Sequence, residues 1–271
     1  MANIYGDLIG TFEQKKALVS QFNLMDDIFF SVVMGDNGAA EYLLTSLFNK
    51  PMKIIENKTQ YSIRNIESHS IVLDALVEDE DHNLYNVEIQ VGDKKNHERR
   101  IRYYQTAIDW SYLQKGRDYS ELPELYMIFI SDFDPFDMNK VHYEITQCIK
   151  DTTRQYDNGI HIHYFNTIVN DNTFLSELMQ YLAYSDPNNN KFGELSKQVS
   201  YHKVQNKGVD YMCKIMEDLL KESNEEGRVE GKLEGKVETV RNLLKENIPF
   251  ETALRCAELD RQTYERYADH I

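Results

Sequence analysis

Two strand-like runs separated by a short polar turn constrain this chain more than any other stretch of it. Residues 71–77 are apolar except for Asp74, and residues 84–91 alternate between apolar and polar side chains. The four polar residues between these runs have the composition of a hairpin turn. A hairpin centred on Asp81 sets Asp74 opposite Glu88, with Cβ atoms about 4.5–5.5 Å apart.

Two carboxylates at that spacing suit a single hard cation, because Mg²⁺ prefers oxygen ligands and often takes one or two carboxylates. Gln90 lies two residues beyond Glu88 and therefore faces the same way. The alternative interpretation of Asp74 and Glu88 is the polar surface of a half-exposed strand, which binds nothing.

The chain after the hairpin predicts a helix followed by a buried strand. A helix over about residues 97–115 places Arg100 and Tyr104 four residues apart on one face. Residues 125–130 are almost continuously apolar, as in a strand covered on both faces. The order is therefore β–β–α–β. The pattern also predicts an edge strand at 53–66, strands at 141–149 and 160–168, and a helix at 174–184.

The acidic pair belongs to a longer series of motifs. In chain order these are Asp27 to Phe30 with Gly35, Asp74, Glu88 with Gln90, Arg100 to Gln105, Asp118 to Pro123, Tyr126 to Phe136, and Tyr164 to Thr167. In this order and spacing the chain resembles the PD-(D/E)xK nuclease superfamily and, more narrowly, the recombination-promoting nuclease/putative transposase (Rpn) family. The chain departs from the family at Ser31, where lysine often follows the phenylalanine.

The resemblance implies an α/β (α+β) fold with a restriction-endonuclease-like core, in which helices flank a mixed central sheet, and a helical C-terminal extension. It also implies a Mg²⁺-dependent DNA endonuclease with Asp74, Glu88 and Gln90 as catalytic residues. The metal ligands would be Asp74, Glu88 and the carbonyl of Ile89. Gln90 stands where many relatives have lysine, and a glutamine orients water or phosphate without adding charge.

The charge distribution bears on DNA as the partner. The net charge of −15 argues against a nucleic-acid partner. Residues 94–102, however, hold five Lys or Arg and one Glu directly after Gln90, and a local basic strip can hold phosphates. The alternative is a solvated helix start. The candidate substrate-binding residues are Lys94, Lys95, Arg99, Arg100 and Tyr104.

Two further groups of residues are weaker candidates. Asp27 and Glu41, on predicted helices before the sheet, are candidates for an auxiliary acid, although a helix cap and a solvent-facing residue explain them as well. His161 and His163 share a face of one predicted strand. Because no Cys or acidic residue lies near them in sequence, we expect a structural role rather than a zinc site.

The C-terminal part carries an internal repeat. We expect a nuclease domain at 1–190, a long helical segment at 191–238 and a small helical module at 239–271. Residues 227–238 repeat every four positions, with glycine at Gly227, Gly231 and Gly235. Their helix has a narrow apolar stripe of Val229, Leu233, Val237 and Val240. We expect it to pair with another helix in a homodimer or higher homo-oligomer; the alternative is a solvated linker helix.

The composition argues against a membrane-spanning or secreted protein and favours the cytoplasm. No run of about 18 apolar residues occurs, and the N-terminus lacks the pattern of a secretory signal. The three cysteines are far apart and odd in number, as reduced thiols in the cytoplasm would be. Two alternatives to an active nuclease stay open: a catalytically weak or inert DNA-binding protein, and an oligomeric interaction protein.

Overall fold

The computed structural model describes residues 10–63, 71–92 and 94–268. It divides into two compact units, Met1–Cys213 and Lys214–Ile271. The expected domain limits at residues 190 and 238 stay predictions. The first unit runs past residue 190 to Cys213, and Leu195 and Val199 in that stretch are buried.

Within the described residues, the first unit contains six strands and most of the helices. Before the sheet come α1 (Phe12–Val19), α2 (Asp27–Met34) and α3 (Asn37–Phe48). The central elements are β1 (Ile54–Ile63), β2 (Ile71–Asp79), β3 (Leu84–Gln90), α4 (His97–Tyr112) and β4 (Leu125–Ser131). They are followed by β5 (His142–Ile145), β6 (Ile160–Asn166), α5 (Phe174–Tyr184), α6 (Gly193–Val204) and α7 (Asn206–Lys245), which continues into the second unit.

The six strands form one mixed sheet in the order β1-β2-β3-β4-β6-β5. β3, β4 and β6 are parallel, whereas β1–β2, β2–β3 and β5–β6 pair antiparallel. With helices packed on it, this sheet confirms the expected α/β restriction-endonuclease-like fold. β5 is shorter than the strand predicted at 141–149, because the chain leaves the ladder after Ile145 and forms only a bridge between Cys148 and Gln155.

The two faces of the sheet are covered by different helices. On one face Ile101 and Ile108 of α4 join Leu84 and other strand residues in a single apolar cluster. Burying such side chains contributes about 1.5–3 kcal/mol each. On the other face Phe48 of α3 packs edge-on against Tyr85, with ring centroids 5.9 Å apart. Because alternate strand residues share a face, the residues on the Leu84 side of β3, including Glu88, lie on the α4 face.

The second unit is built from the later part of α7 with α8 (Phe250–Cys256) and α9 (Arg261–Ala268). Val240 is buried in its core with Ala253, Leu254 and Ala257. Val237 is also buried, whereas Val229 is 63% exposed. The C-terminal half of the predicted apolar stripe is therefore covered within the unit. In the described part of the chain, no helix is long and apolar enough to span a membrane.

Candidate active site

The β2–β3 hairpin brings the two predicted acids together. Ala75 pairs with Val87 and Glu78 pairs with Leu84, so the ladder is symmetric about Asp81, as predicted. The same register, continued by one residue, sets Asp74 opposite Glu88. Opposed residues of an antiparallel pair point to the same face of the sheet, so the two carboxyl groups share the α4 face.

Both carboxyl groups are buried: Asp74 is 8% exposed and Glu88 is 7% exposed. Asp74 Oδ2 accepts a hydrogen bond from the backbone N–H of Ile89, with a donor–acceptor distance of 2.8 Å. Glu88 Oε1 is buried without a hydrogen-bond partner among the described residues. Burial of a carboxylate with an unsatisfied oxygen is costly, so this atom is suited to binding a ligand.

The electrostatics of the pair follow from that burial. Burial raises the pKa of Asp74 to about 6, opposed by the Ile89 N–H and assisted by the charge of Asp27. Burial also raises the pKa of Glu88 well above its usual range, and the charge of Asp74 raises it further. Burial and mutual repulsion make it unfavourable for both acids to be ionised at once. A divalent cation between them would stabilise the two carboxylates in their charged form.

The residues present fit a magnesium ion with few protein ligands. Asp74 and Glu88 supply two carboxylates, and Ile89 is in the same strand as Glu88, with its N–H already bonded to Asp74. Mg²⁺ commonly takes one or two carboxylates and completes its octahedron with water and substrate oxygens. Among the described residues, no cluster of three or more His, Cys, Asp or Glu has the arrangement of a metal site.

Arg100 on α4 reaches the candidate site from the neighbouring helix. Its Nη1 donates a hydrogen bond to Gln90 Oε1. Its Cζ atom lies 5.8 Å from the ring centroid of Tyr104, an arrangement typical of a cation–π contact. The charge of Arg100 also lowers the pKa values of Asp74 and Glu88. Gln90, Arg100 and Tyr104 therefore lie beside the acidic pair.

Of the two auxiliary acids, only Asp27 lies near the pair. Asp27 begins α2, and its charge raises the pKa of Asp74, so the two carboxylates are within electrostatic range. Glu41 is elsewhere: its Oε1 accepts a hydrogen bond of 2.9 Å from the backbone N–H of Ile54, at the start of β1. Glu41 therefore anchors the edge strand.

The predicted basic strip lies at the surface between β3 and the first turn of α4. Lys94, Lys95 and Arg99 are all exposed. Lys94 forms an ion pair with Asp137, so part of its charge is already compensated. Arg99 directly precedes Arg100 on the helix, which places its backbone next to the candidate site.

The histidines of β6 belong to the face of the sheet opposite α4. His163 Nδ1 lies 3.1 Å from His142 Nε2, and the ring of Phe48 packs edge-on against His163 with centroids 4.9 Å apart. Burial lowers the pKa of His163 to about 4, so the ring is neutral near neutral pH. His161 Nε2 lies 2.6 Å from a carboxylate oxygen of Glu124. These contacts describe a packed histidine cluster rather than a metal site.

One residue beside the pair was missed from the sequence. Asn86 is completely buried two residues before Glu88, on the same face of β3. Neither of its amide atoms has a hydrogen-bond partner within the described residues, although the amide is close enough to lower the pKa of Glu88. The sequence could have indicated this position, because Asn86 lies two residues before Glu88 and residues i and i+2 of a strand share a face.

Comparison with known proteins agrees with this geometry. The model of one protein family, described as PD-(D/E)XK nuclease family transposase, matches residues 24–173. The matched segment covers α2, α3, the six strands and the acidic pair. No curated protein and no solved structure matches the chain significantly.

Proposed function

Because the chain belongs to the PD-(D/E)XK nuclease family transposases, a match that covers more than half of its length, we propose that it is a metal-dependent DNA endonuclease. The observation that carries this proposal is the buried, face-sharing pair of Asp74 and Glu88, with one unsatisfied carboxylate oxygen. The family itself indicates a nuclease- or transposase-like function; the reaction, the ion and the residue roles are proposed here.

In this proposal Asp74, Glu88 and the carbonyl of Ile89 hold Mg²⁺. A magnesium ion bound there supplies Lewis-acid polarisation of the scissile phosphate and lowers the pKa of a bound water. The side chains provide the rest of the site. Their burial keeps bulk water away from the carboxylates, and the Ile89 N–H fixes the orientation of the Asp74 carboxylate.

Gln90 and Arg100 would act together on the phosphate. Gln90 has no charge, but its amide can orient a water or donate to a phosphate oxygen. The hydrogen bond from Arg100 fixes the Gln90 side chain with its carbonyl oxygen toward the guanidinium. The charge of Arg100 would then stabilise negative charge that develops on phosphate oxygens, a role for which a preorganised cation is effective. The ring of Tyr104 contacts the guanidinium of Arg100 and helps to hold it in place.

DNA is the proposed partner, held by Lys94, Lys95 and Arg99 at the entrance to the site. These side chains are exposed and lie on the connection that leads from Gln90 to Arg100. Since the chain as a whole carries a charge of −15, binding through this strip should weaken steeply as the salt concentration rises. Binding that does not change with salt would contradict this part of the proposal.

A catalytically weak or inert DNA-binding protein is the second candidate. It is favoured by Gln90, because a lysine at this position would supply a positive charge that glutamine lacks. The two candidates differ in turnover: both bind DNA, but only the first converts supercoiled plasmid to nicked or linear forms when Mg²⁺ is present.

The deciding experiment is plasmid cleavage with and without Mg²⁺ by the full chain and two isosteric variants, Asp74→Asn and Glu88→Gln. We expect cleavage that requires the metal and is lost in both variants. Asp218→Asn, an exposed acid in the second unit, is the matched control and should cleave normally. Circular dichroism confirms that the variants are folded. Cleavage by Asp74→Asn at the wild-type rate would falsify the assignment of the site.

We also propose that the chain forms a homodimer or higher homo-oligomer through the helical tail. This is supported by Val229, which is 63% exposed on a stretch of α7 where Gly227, Gly231 and Gly235 have open space around them. Light scattering on the full chain and on a chain truncated at Ser223 tests this proposal. If both chains contain the same number of protomers, the tail does not mediate oligomerisation.

A further inference from the structure

The solvent-facing side of α4 carries the only tryptophan of the chain. Trp110 is 68% exposed, although a buried tryptophan contributes strongly to stability. The side of α4 that supports the fold is elsewhere on the helix, at the buried residues Ile101 and Ile108. Trp110 is therefore not explained by the packing of the core.

Trp110 is part of a face with a consistent chemistry. Arg99, Tyr103, Thr106 and Trp110 follow one another at intervals of four, three and four residues, which places them on one side of an α-helix. Arg102 lies beside this row. All five side chains are exposed. We call this set, Arg99, Arg102, Tyr103, Thr106 and Trp110, the outer face of α4.

The charge on the outer face is opposite to that of the protein. Arg99 and Arg102 form no ion pair or side-chain hydrogen bond within the part of the chain that is described. The molecule around them carries a net charge of −15. Two uncompensated guanidinium groups next to an exposed indole are complementary to a polyanion that also presents flat aromatic groups.

We propose that the outer face of α4 binds an unpaired segment of DNA, with a base stacked on Trp110 and phosphates on Arg99 and Arg102. The inference deepens the proposed nuclease function and rests on it, because Arg100 of the same helix contacts Gln90 in the candidate site. Ten residues separate Arg100 from Trp110, a rise of about 15 Å along the helix. A single strand leading away from the site can follow this row.

Duplex DNA and a second copy of the chain fit the outer face less well. In a duplex the bases already stack on one another, so an exposed indole gains a partner only where a base is unpaired. In a two-fold dimer through this face, the arginines of one protomer would meet those of its partner, and like charges at close range repel. The substrate class that follows is DNA with a single-stranded segment, such as a flap, a gap or a frayed end.

Trp110 reports directly on this binding, because no other tryptophan contributes to the fluorescence. The experiment titrates the full chain, without divalent cations, with an unlabelled single-stranded oligothymidine and with a blunt hairpin duplex of equal length. We expect the single strand to quench the tryptophan emission and the duplex to have little effect. Equal quenching by both, or quenching by neither, overturns the inference.

Variants separate stacking from charge. With a fluorescein-labelled single strand, the anisotropy should show that Trp110→Ala weakens binding by about 5- to 100-fold, and that Trp110→Phe restores part of the loss. Tyr119→Ala is the matched control, because Tyr119 is 82% exposed in a short turn outside α4. Arg99→Gln and Arg102→Gln should each reduce the slope of log affinity against log salt by about 0.7.

The outcomes distinguish this inference from the nuclease proposal. A chain that cleaves plasmid with Mg²⁺ but binds single strands equally well with Trp110→Ala contradicts the inference alone. A chain that binds single strands through Trp110 but never cleaves contradicts the nuclease proposal alone. If diluting the protein without DNA changes the tryptophan emission, a second copy covers the outer face, and the inference is wrong.

Discussion

Asp74 Oδ2 accepts a hydrogen bond of 2.8 Å from the backbone N–H of Ile89, which ties the first acid to the strand of the second. A hydrogen bond to a carboxylate lowers its pKa, yet the pKa of Asp74 stays at about 6, because burial outweighs the bond. The folded chain therefore holds two acids in a place where their charges are unfavourable.

The first prediction is that Asp74→Asn stabilises the fold when no divalent cation is present. The pKa of Asp74 is raised from 3.8 to about 6 on folding, so its contribution to stability is present at low pH and is lost as the pH rises from about 4 to about 6. At about pH 7 the loss is at most about 3 kcal/mol. Urea unfolding should show the variant to be more stable than wild type at neutral pH and equal to it at acid pH.

Asp218→Asn is the control for this measurement, because Asp218 is exposed. It should change stability little at any pH. Adding Mg²⁺ should stabilise the wild type and not Asp74→Asn, since only the wild type keeps both carboxylates. A constant difference between wild type and Asp74→Asn across the pH range would contradict the prediction.

The second prediction concerns Arg100. Arg100→Gln removes the positive charge that lowers the pKa values of Asp74 and Glu88, and it removes the donor to Gln90. We expect Mg²⁺-dependent cleavage to fall by about 10²–10³-fold, the range seen when one preorganised donor is lost. Single-turnover rates at saturating protein measure this. Arg117→Gln, an exposed arginine after α4, is the matched control, and an equal loss there would argue against a specific role.

The third prediction concerns the ion pair between Lys94 and Asp137. Asp137→Asn should release Lys94 for DNA, so duplex binding should tighten at low salt and the salt slope should steepen by up to about 0.9. Asp137 has a φ of 55°, a conformation that asparagine tolerates, so the substitution should not strain the backbone. Anisotropy in the Asp74→Asn background avoids cleavage. If Asp218→Asn tightens binding equally, the effect is one of net charge alone.

The fourth prediction tests the glycine repeat of the tail. A Cβ added at Gly227, Gly231 or Gly235 meets no atom within 4 Å in the described chain. In a solitary helix, Gly→Ala at all three positions should therefore increase helicity and stabilise the helix by about 1 kcal/mol per site. If a second protomer approaches closely at these glycines, the triple variant should instead dissociate. Circular dichroism and light scattering on the same samples read both effects, and unchanged oligomers would exclude close approach at the glycines.

The sequence predicted local features of the fold better than non-local ones. The polar turn and the alternation around it determined the pairing of β2 with β3, so the position of Asp74 opposite Glu88 could be read directly. The helix predicted at 174–184 has those limits in the structure. Both features depend on neighbours within a few residues, and a periodic pattern contains that information.

Features that depend on tertiary packing could not be read in the same way. The contact between Arg100 and Gln90 forms because α4 packs back over the sheet, and the proximity of Asp27 depends on where α2 lies. Asn86 looked like an ordinary polar residue of an alternating strand, yet it is fully buried.

The short turn between β2 and β3 also has a kinetic consequence. Both acids lie on one local hairpin, and hairpins close within microseconds, because a short loop costs little entropy. Asp27 and the parallel pairing with β4 arrive later, since they require contacts between distant parts of the chain. Arg100 reaches the site only when α4 packs on the sheet. The mutual repulsion of the two acids is therefore present early in folding, before any cationic side chain offsets it. A divalent cation that binds this nascent hairpin should accelerate refolding as well as stabilise the finished protein.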